Sequence, residues 1–322
     1  MKLHIVAAAE IDPLIVIVDR HGQRHLGGFL SDDIFIQHRP DLLGGGQLIG
    51  DVLQGSGLRA VEPLVQNAHA KLHALVTDAD AGAAGPALEG FGSRYGMRAE
   101  PGAIRHMHIA DDGSIQLDVI GGGEPVGICG TGIFDLIAQC YLRGIIFGDG
   151  TVNGEQKDFT TEVWDETAER SVPAVVYYEK ADKKLYFTEP DIREFIRCKA
   201  AAHTMVATLL EYCGLGLDDI DRIYLAGGFG THIDLESAVT VGIYPDVDRK
   251  KMVLLGNTSL AGAKKLLLDA GQMARVRHFL ESSEYLHFSE MERFPENMVA
   301  AEFIPHTDGR LYPSVKRHPL QK

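Results

Sequence analysis

Three glycine-bearing stretches hold the residue types that most readily do chemistry in this chain. Between Asp221 and Asp246 an apolar run, Ile223-Tyr224-Leu225-Ala226, breaks into Gly227-Gly228-Phe229-Gly230, and a small-residue helical stretch follows. Glycines there remove side chains where a backbone would approach a purine and ribose. The helix predicted from about Asp234 would offer amides and a positive dipole end to a phosphate. The same letters also make a plain strand-to-helix turn. Gly127–Gly132 (GICGTG) is a second glycine turn opening a helix, which makes Gly130, Thr131 and Gly132 candidate phosphate contacts. Asp135 lies one turn further in, where a carboxylate either orients a metal-bound water or favours the helix N-terminus. Gly256–Ala263 (GNTSLAGA) places Asn257 in an exposed turn with Thr258 or Ser259 as a helix cap, open to nucleotide contact or to closing a lobe.

Other constellations are thinner. Glu89 and Arg98, in GPALEGFGSRYGMR, either touch nucleotide or metal or form a structural ion pair. His69 and His73 are spaced i, i+4, and His106 and His108 alternate on a predicted strand; neither pair has a third ligand in view, so no metal site is assigned. No GxxxxGK[ST] occurs, and Gly44, Gly45, Gly46 and Gly50 miss the GxGxxG pattern because position 49 is Ile. The four cysteines, Cys129, Cys140, Cys198 and Cys213, are far apart and form no CxxC. No iron–sulfur cluster or zinc is expected within this chain, and a reduced, cytoplasmic setting is.

The elements that must position these residues are legible from periodicity. PLIVIVD, ending at Asp19, reads as a strand inside an otherwise irregular first 80 residues. RHMHIADDGSIQLDVIGG alternates on both sides of Asp111-Asp112-Gly113 and predicts a hairpin. In the helix after GICGTG, Ile133, Phe134, Ile137, Cys140 and Tyr141 share one face. A strand-rich excursion over 146–187 holds VPAVVYYEK and KLYFTEPD. Thr188 then caps a long helix carrying Ile192, Phe195, Ile196, Met205, Val206, Leu209 and Leu210, and Gly214 ends it. From 222 onward the order is strand, helix, strand (KMVLLG), helix, which implies parallel pairing with ligands beyond the strand C-termini. The stretch from about 305 is polar and reads as a loose tail.

The totals narrow the function. A chain of 322 residues can bury one large core or two lobes. Lys+Arg 31 against Asp+Glu 45 gives a net charge of -14, which disfavours a nucleic-acid partner. No apolar run approaches the roughly 20 residues of a membrane span. The opening MKLHIVAAAEIDPLIVIVD is broken by Glu10, Asp12 and Pro13, against a cleaved signal.

Four blocks in order carry a family resemblance: GAAGPALEGFGSRYGMRAEPGAI, GGGEPVGICGTGIFDLIA, FTEPDIREFIRCKAA, and IYLAGGFGTHIDLESAVTVGIYPDVDRKKMVLLGNTSLAGAKKLL. SSEYLHFSEMERFPENM fits the closing segment. Over about residues 81–304 the chain resembles the C-terminal ATPase domain of the reductive activators of corrinoid proteins, in the actin/sugar-kinase/Hsp70 superfamily. The resemblance implies an α/β, two-lobed, actin/Hsp70-like ATPase with ribonuclease-H-like subdomains. Its parts would be a phosphate-side lobe over 1–120, an adenosine-side lobe over 121–304 and a polar tail over 305–322. It also implies ATP and Mg²⁺ as cofactors and ATP hydrolysis while a corrinoid cobalt goes from Co(II) to Co(I). A corrinoid protein is the implied partner, and a homodimer is left open.

Two departures qualify that expectation. The family's ferredoxin-like domain has no counterpart here, so a separate ferredoxin or reductase would donate electrons. The family's DIGTNGE-type turn aligns best with LVQNAHAKL, Leu64 to Leu72, where Gln66 replaces the metal-positioning Asp and Asn67-Ala68-His69 the Gly-Thr, with Lys71 near the Glu. Gln cannot neutralise Mg²⁺ as a carboxylate does. The N-terminal lobe is thus incomplete or divergent: a slow relative, a lobe with Asp19 as surviving carboxylate, or a truncated or frame-shifted reading. The functional expectations are an ATP-binding accessory of corrinoid reactivation, a catalytically degenerate docking module, and a small-molecule kinase. Gly130, Thr131, Gly132, Gly227, Gly228, Phe229, Gly230 and Asn257 are the expected nucleotide contacts; Asp19, Asp135 and Glu89 are the candidate catalytic carboxylates.

Overall fold

The alternation around Asp111-Asp112-Gly113 closes into the expected hairpin: β1 (Ala103–Ile109) and β2 (Ile115–Val119) pair antiparallel. Asp112 supplies the turn, its Oδ1 accepting from Ser114 N at 2.9 Å while Gly113 takes φ +84°. A register shift between Ile104 and His106 bulges β1. On its other edge β1 pairs in parallel with β3 (Gly127–Ile128), giving the order β2-β1-β3. The computed structural model describes Leu88 and residues 92–166, 169–282 and 291–316. The strand expected at PLIVIVD lies outside those residues. α1 (Gly130–Leu142) follows β3 directly. Leu136 and Ala138 are buried as well as the predicted face, so the helix is apolar nearly all round, as a core helix must be.

The strand-rich excursion is an antiparallel sheet in the order β4-β5-β6, from β4 (Thr160–Asp165), β5 (Arg170–Lys180) and β6 (Lys183–Thr188). α2 (Glu189–Cys213) opens on a reciprocal cap. Asp191 N donates to Thr188 Oγ1 at 3.2 Å, and Thr188 N donates back to Asp191 Oδ2 at 3.0 Å. Gly214, at φ +63°, ends the helix. Phe195 of α2 meets Phe134 of α1 edge-on, centroids 4.9 Å apart.

The last third alternates as expected: β7 (Ile223–Ala226), α3 (Gly227–His232), α4 (Leu235–Val241), β8 (Met252–Gly256), α5 (Thr258–Leu268), α6 (Gln272–Ser282) and α7 (Phe294–Ala301). β7 and β8 pair in parallel. The chain divides into two compact units. One holds Met205–Thr231 and Val247–Phe294, with a core of Leu210, Ile220 and Tyr224 packed by Val206, Leu215, Val253 and Leu255. The other holds Ala83–Thr204, His232–Asp246 and Pro295–Lys322, and in it α4 packs on α1.

The stretch expected to be a loose tail is packed through its described part. Tyr312 is buried, its hydroxyl bonded to Gly242 O at 3.1 Å and to His203 Nδ1 at 3.0 Å, and Ser314 Oγ donates to Asp246 Oδ1 at 2.7 Å. A polar sequence is compatible with burial when its polar atoms find partners, and these do. Beneath them lies Lys199, fully buried on α2, whose Nζ donates to Phe303 O at 2.8 Å and Pro305 O at 2.7 Å. Burial pulls its pKa down to about 7 and that of neighbouring His203 to about 3.

Candidate functional site

The first amides of α1 find no partner among the described residues. Its N-cap, Cys129, makes no side-chain cap, and no acidic residue stands in the first turn. The helical ladder begins with Ile133 N donating to Cys129 O at 3.0 Å, so the amides of Gly130, Thr131 and Gly132 precede it. This is the arrangement in which a helix N-terminus takes an anion. The side chains here serve packing. A Cβ on Gly132 would sit 2.4 Å from Ile104 O, and Thr131 Oγ1 donates to Arg105 O at 2.8 Å, so both residues lock α1 against β1.

Asp135 is buried against the same strand. Its Oδ2 accepts from His106 Nδ1 at 2.8 Å and from Met107 N at 3.2 Å, while its Oδ1 is buried with no hydrogen-bond partner among the described residues. The bond to Asp135 raises the His106 pKa; burial opposes it, and the charges of Asp135, Asp118 and Asp234 reinforce it. The structure thus pairs His106 with Asp135 and leaves His108 exposed. Among the described residues no group of three or more His, Cys, Asp or Glu is placed to hold a metal ion.

In the other unit the glycine turn after β7 is tighter than the sequence implies. Gly227 to His232 form α3, a six-residue helix, with Gly227 at φ +93° and Thr231 Oγ1 donating to Gly227 O at 2.6 Å. Gly227 therefore needs glycine for its backbone. A Cβ on Gly230 would meet Leu225 only at 3.6 Å, an ordinary contact. Gly228 and Phe229 are half-buried. Asn257 follows Gly256 (φ +73°) and caps α5, accepting from Leu260 N at 2.9 Å. Ala226 and Gly256 are register partners, which brings Gly227 and Asn257 together at the C-terminal edge of the parallel pair. That edge is where α/β sheets commonly hold ligands. The helix expected to offer amides near Asp234 is already capped, since Asp234 Oδ1 accepts from Ser237 N at 2.7 Å and leaves a carboxylate where a phosphate would sit.

Asp19, Glu89, the His69 and His73 pair and the Gln66–Lys71 stretch lie outside the described residues, and Arg98 is exposed. The sequence reading missed the bond between His106 and Asp135. The two are 29 positions apart, and only the strand-on-helix packing joins them.

The family described as the C-terminal domain of RACo, the ASKHA domain, matches residues 73–316 of the chain. The chain belongs to this family. A corrinoid activation enzyme, RamQ, of Eubacterium limosum is 34% identical over 193 residues, 58% of this chain and 32% of that protein. A [Co(II) methylated amine-specific corrinoid protein] reductase of Methanosarcina barkeri is 27% identical over 250 residues, 70% of this chain and 42% of that protein. Among solved structures, a reductive activator for corrinoid, iron–sulfur protein superposes with a TM-score of 0.65 at 39% identity, over 72% of this chain and 37% of that one. This RACo-type ASKHA chain accordingly has the α/β fold of its family, and it spans well under half the length of these relatives.

Proposed function

We propose that this chain is the nucleotide-dependent part of a corrinoid activator, binding ATP to drive reductive reactivation of a corrinoid protein from Co(II) to Co(I). The observation that carries the reading is the uncapped start of α1, in a chain whose relatives are named as corrinoid activators and reductases. Its amides at Gly130, Thr131 and Gly132 are the proposed phosphate contacts. Gly227, Gly228, Phe229, Gly230 and Asn257 are the proposed nucleoside contacts. A two-lobed ASKHA arrangement with a divergent N-terminal lobe, a corrinoid protein as partner, and a ferredoxin or reductase as electron donor belong to the same proposal. The described residues supply no carboxylate cluster for Mg²⁺. That ion is usually held by one or two carboxylates together with the substrate phosphates, and here it would come with the nucleotide. Bound, it would neutralise phosphate charge.

Binding without turnover is the second reading. It is favoured by the commitment of the Thr131 hydroxyl and one Asp135 oxygen to β1. Calorimetric titration with ATP, with and without Mg²⁺, tests the common part; no binding at millimolar nucleotide would sink both readings. ATP consumption and Co(I) absorbance, followed with a corrinoid protein and a low-potential reductant, then separate them. Turnover coupled to Co(I) supports the first, and binding with no consumption supports the second.

A further inference from the structure

Residues 303–314 lie across the Lys199–His203 turn of α2 and the C-cap of α4, all within one unit. Lys199 Nζ donates to Phe303 O and Pro305 O, Ile304 N to Gly148 O at 2.7 Å, and the Tyr312 hydroxyl to Gly242 O. The fit is close, since a Cβ on Gly242 would collide with Pro305 O. Four titratable side chains meet at this seam: Lys199 and His203 from α2, and His306 and Tyr312 from the segment. The two imidazole rings have centroids 5.0 Å apart, and His203 Nδ1 bonds the Tyr312 hydroxyl. The carboxylates acting on the seam are Asp308, ion-paired with Arg310, and Asp246, which holds Ser314.

The hydrogen bonds fix where a proton can go. Asp308 N donates to His306 Nδ1 at 2.9 Å, so neutral His306 carries its hydrogen on Nε2 and an added proton must take Nδ1. That proton ends the bond and sets two N–H groups against each other. At His203 the Tyr312 hydroxyl, its one hydrogen given to Gly242 O, accepts from Nδ1. An added proton there takes Nε2 and breaks no bond, but it places a further positive charge at the seam. Lys199 and His306 oppose charging of His203, and Lys199 opposes charging of His306 against the weaker pull of Asp308. Burial opposes both.

We propose that residues 303–314 form a proton-released clasp on α2, with His203 and His306 as its sensing pair. Two rings that stay neutral while the clasp is closed and charge once it opens take up two protons per opening, so acid drives the opening. Below about pH 7 Lys199 is charged in either state, and the slope there belongs to the histidines.

The test is amide hydrogen exchange of the full chain between about pH 5 and 7, each rate divided by its intrinsic rate. Protection at Ile304, Thr307, Asp308 and Tyr312 should fall with acidity below about pH 6.5, by up to about a hundredfold per pH unit, tenfold for each proton. Amides inside α1 keep their protection throughout. His203→Asn retains a donor to the Tyr312 hydroxyl and His306→Asn an acceptor for Asp308 N, and neither can be charged. Each variant should show at most a tenfold fall per pH unit, and the double variant none. A fall that survives in the double variant, a flat wild-type profile, or loss of protection in α1 together with the segment overturns the inference. Should the variants fail to fold, the imidazole nitrogen resonances of the wild type decide. Both rings stay neutral down to the pH at which the segment opens, and a ring that charges at or above about pH 6.5 with the segment still protected overturns it.

Discussion

A glycine kept for a ligand and a glycine kept for a neighbouring backbone look alike in sequence, because both positions require a missing Cβ. Gly132 and Gly230 separate the two cases here. At Gly132 the added atom would lie 2.4 Å from Ile104 O and 2.8 Å from the Ile128 side chain, inside a helix fixed against β1. Gly132→Ala should therefore destabilise the fold by about 1–3 kcal/mol, the usual cost of overpacking. Gly230 sits in α3 with room at 3.6 Å, and alanine there gains helix propensity, so Gly230→Ala should change stability by less than about 1 kcal/mol in either direction. Urea unfolding of the two variants checks both values. Equal losses would mean that α1 can shift away from β1, and that Gly132 is not held by packing. Nucleotide titration of the folded Gly230→Ala variant then reads binding without a confounding loss of fold.

At the scale of elements, the last described segment is tied to α2 by a lysine with two carbonyl partners. Lys199 donates to Phe303 O and Pro305 O, His203 bonds Tyr312, and His306 is also depressed in pKa by burial and by Lys199. The unfolded lysine titrates near its ordinary value of 10.5, the folded one near about 7. Between those values the unfolded chain binds more protons, so stability rises with pH across that window and the full penalty of the buried charge is present below it. In Lys199→Met the wild-type rise between about pH 7 and 9, at most about 1.4 kcal/mol per pH unit, should flatten. The variant should lose a constant amount at every pH for the two carbonyls left without donors. Urea midpoints at several pH values check this, and parallel pH profiles in the two proteins would show that the carbonyls keep Lys199 charged throughout. The elements themselves were legible. The hairpin, α1, α2 and the β7-to-α5 alternation follow from period and capping signals that are local in sequence. Lys199 was not, since a lysine between Cys198 and Ala200 reads as solvent-facing and its partners lie more than 100 positions away. The polar stretch from 305 misled for the same reason, because Tyr312 finds its partners at His203 and Gly242.

At the scale of the molecule, a ligand that binds the folded chain and not the unfolded one must stabilise it by mass action, whichever residues make the contact. The family match over 73–316 and the uncapped start of α1 make a nucleotide the expected ligand. Thermal unfolding should accordingly move upward with Mg·ATP, by about 2.7 kcal/mol in stability when free nucleotide is a hundredfold above its dissociation constant. The shift must keep growing with the logarithm of concentration. A shift that saturates, or that sodium tripolyphosphate reproduces in full, would point to a general anion effect on a chain carrying a net charge of -14. Adenosine supplies the complementary arm. A part of the shift that adenosine reproduces belongs to nucleoside contacts such as those proposed at Gly227 and Asn257, and the remainder belongs to the phosphates.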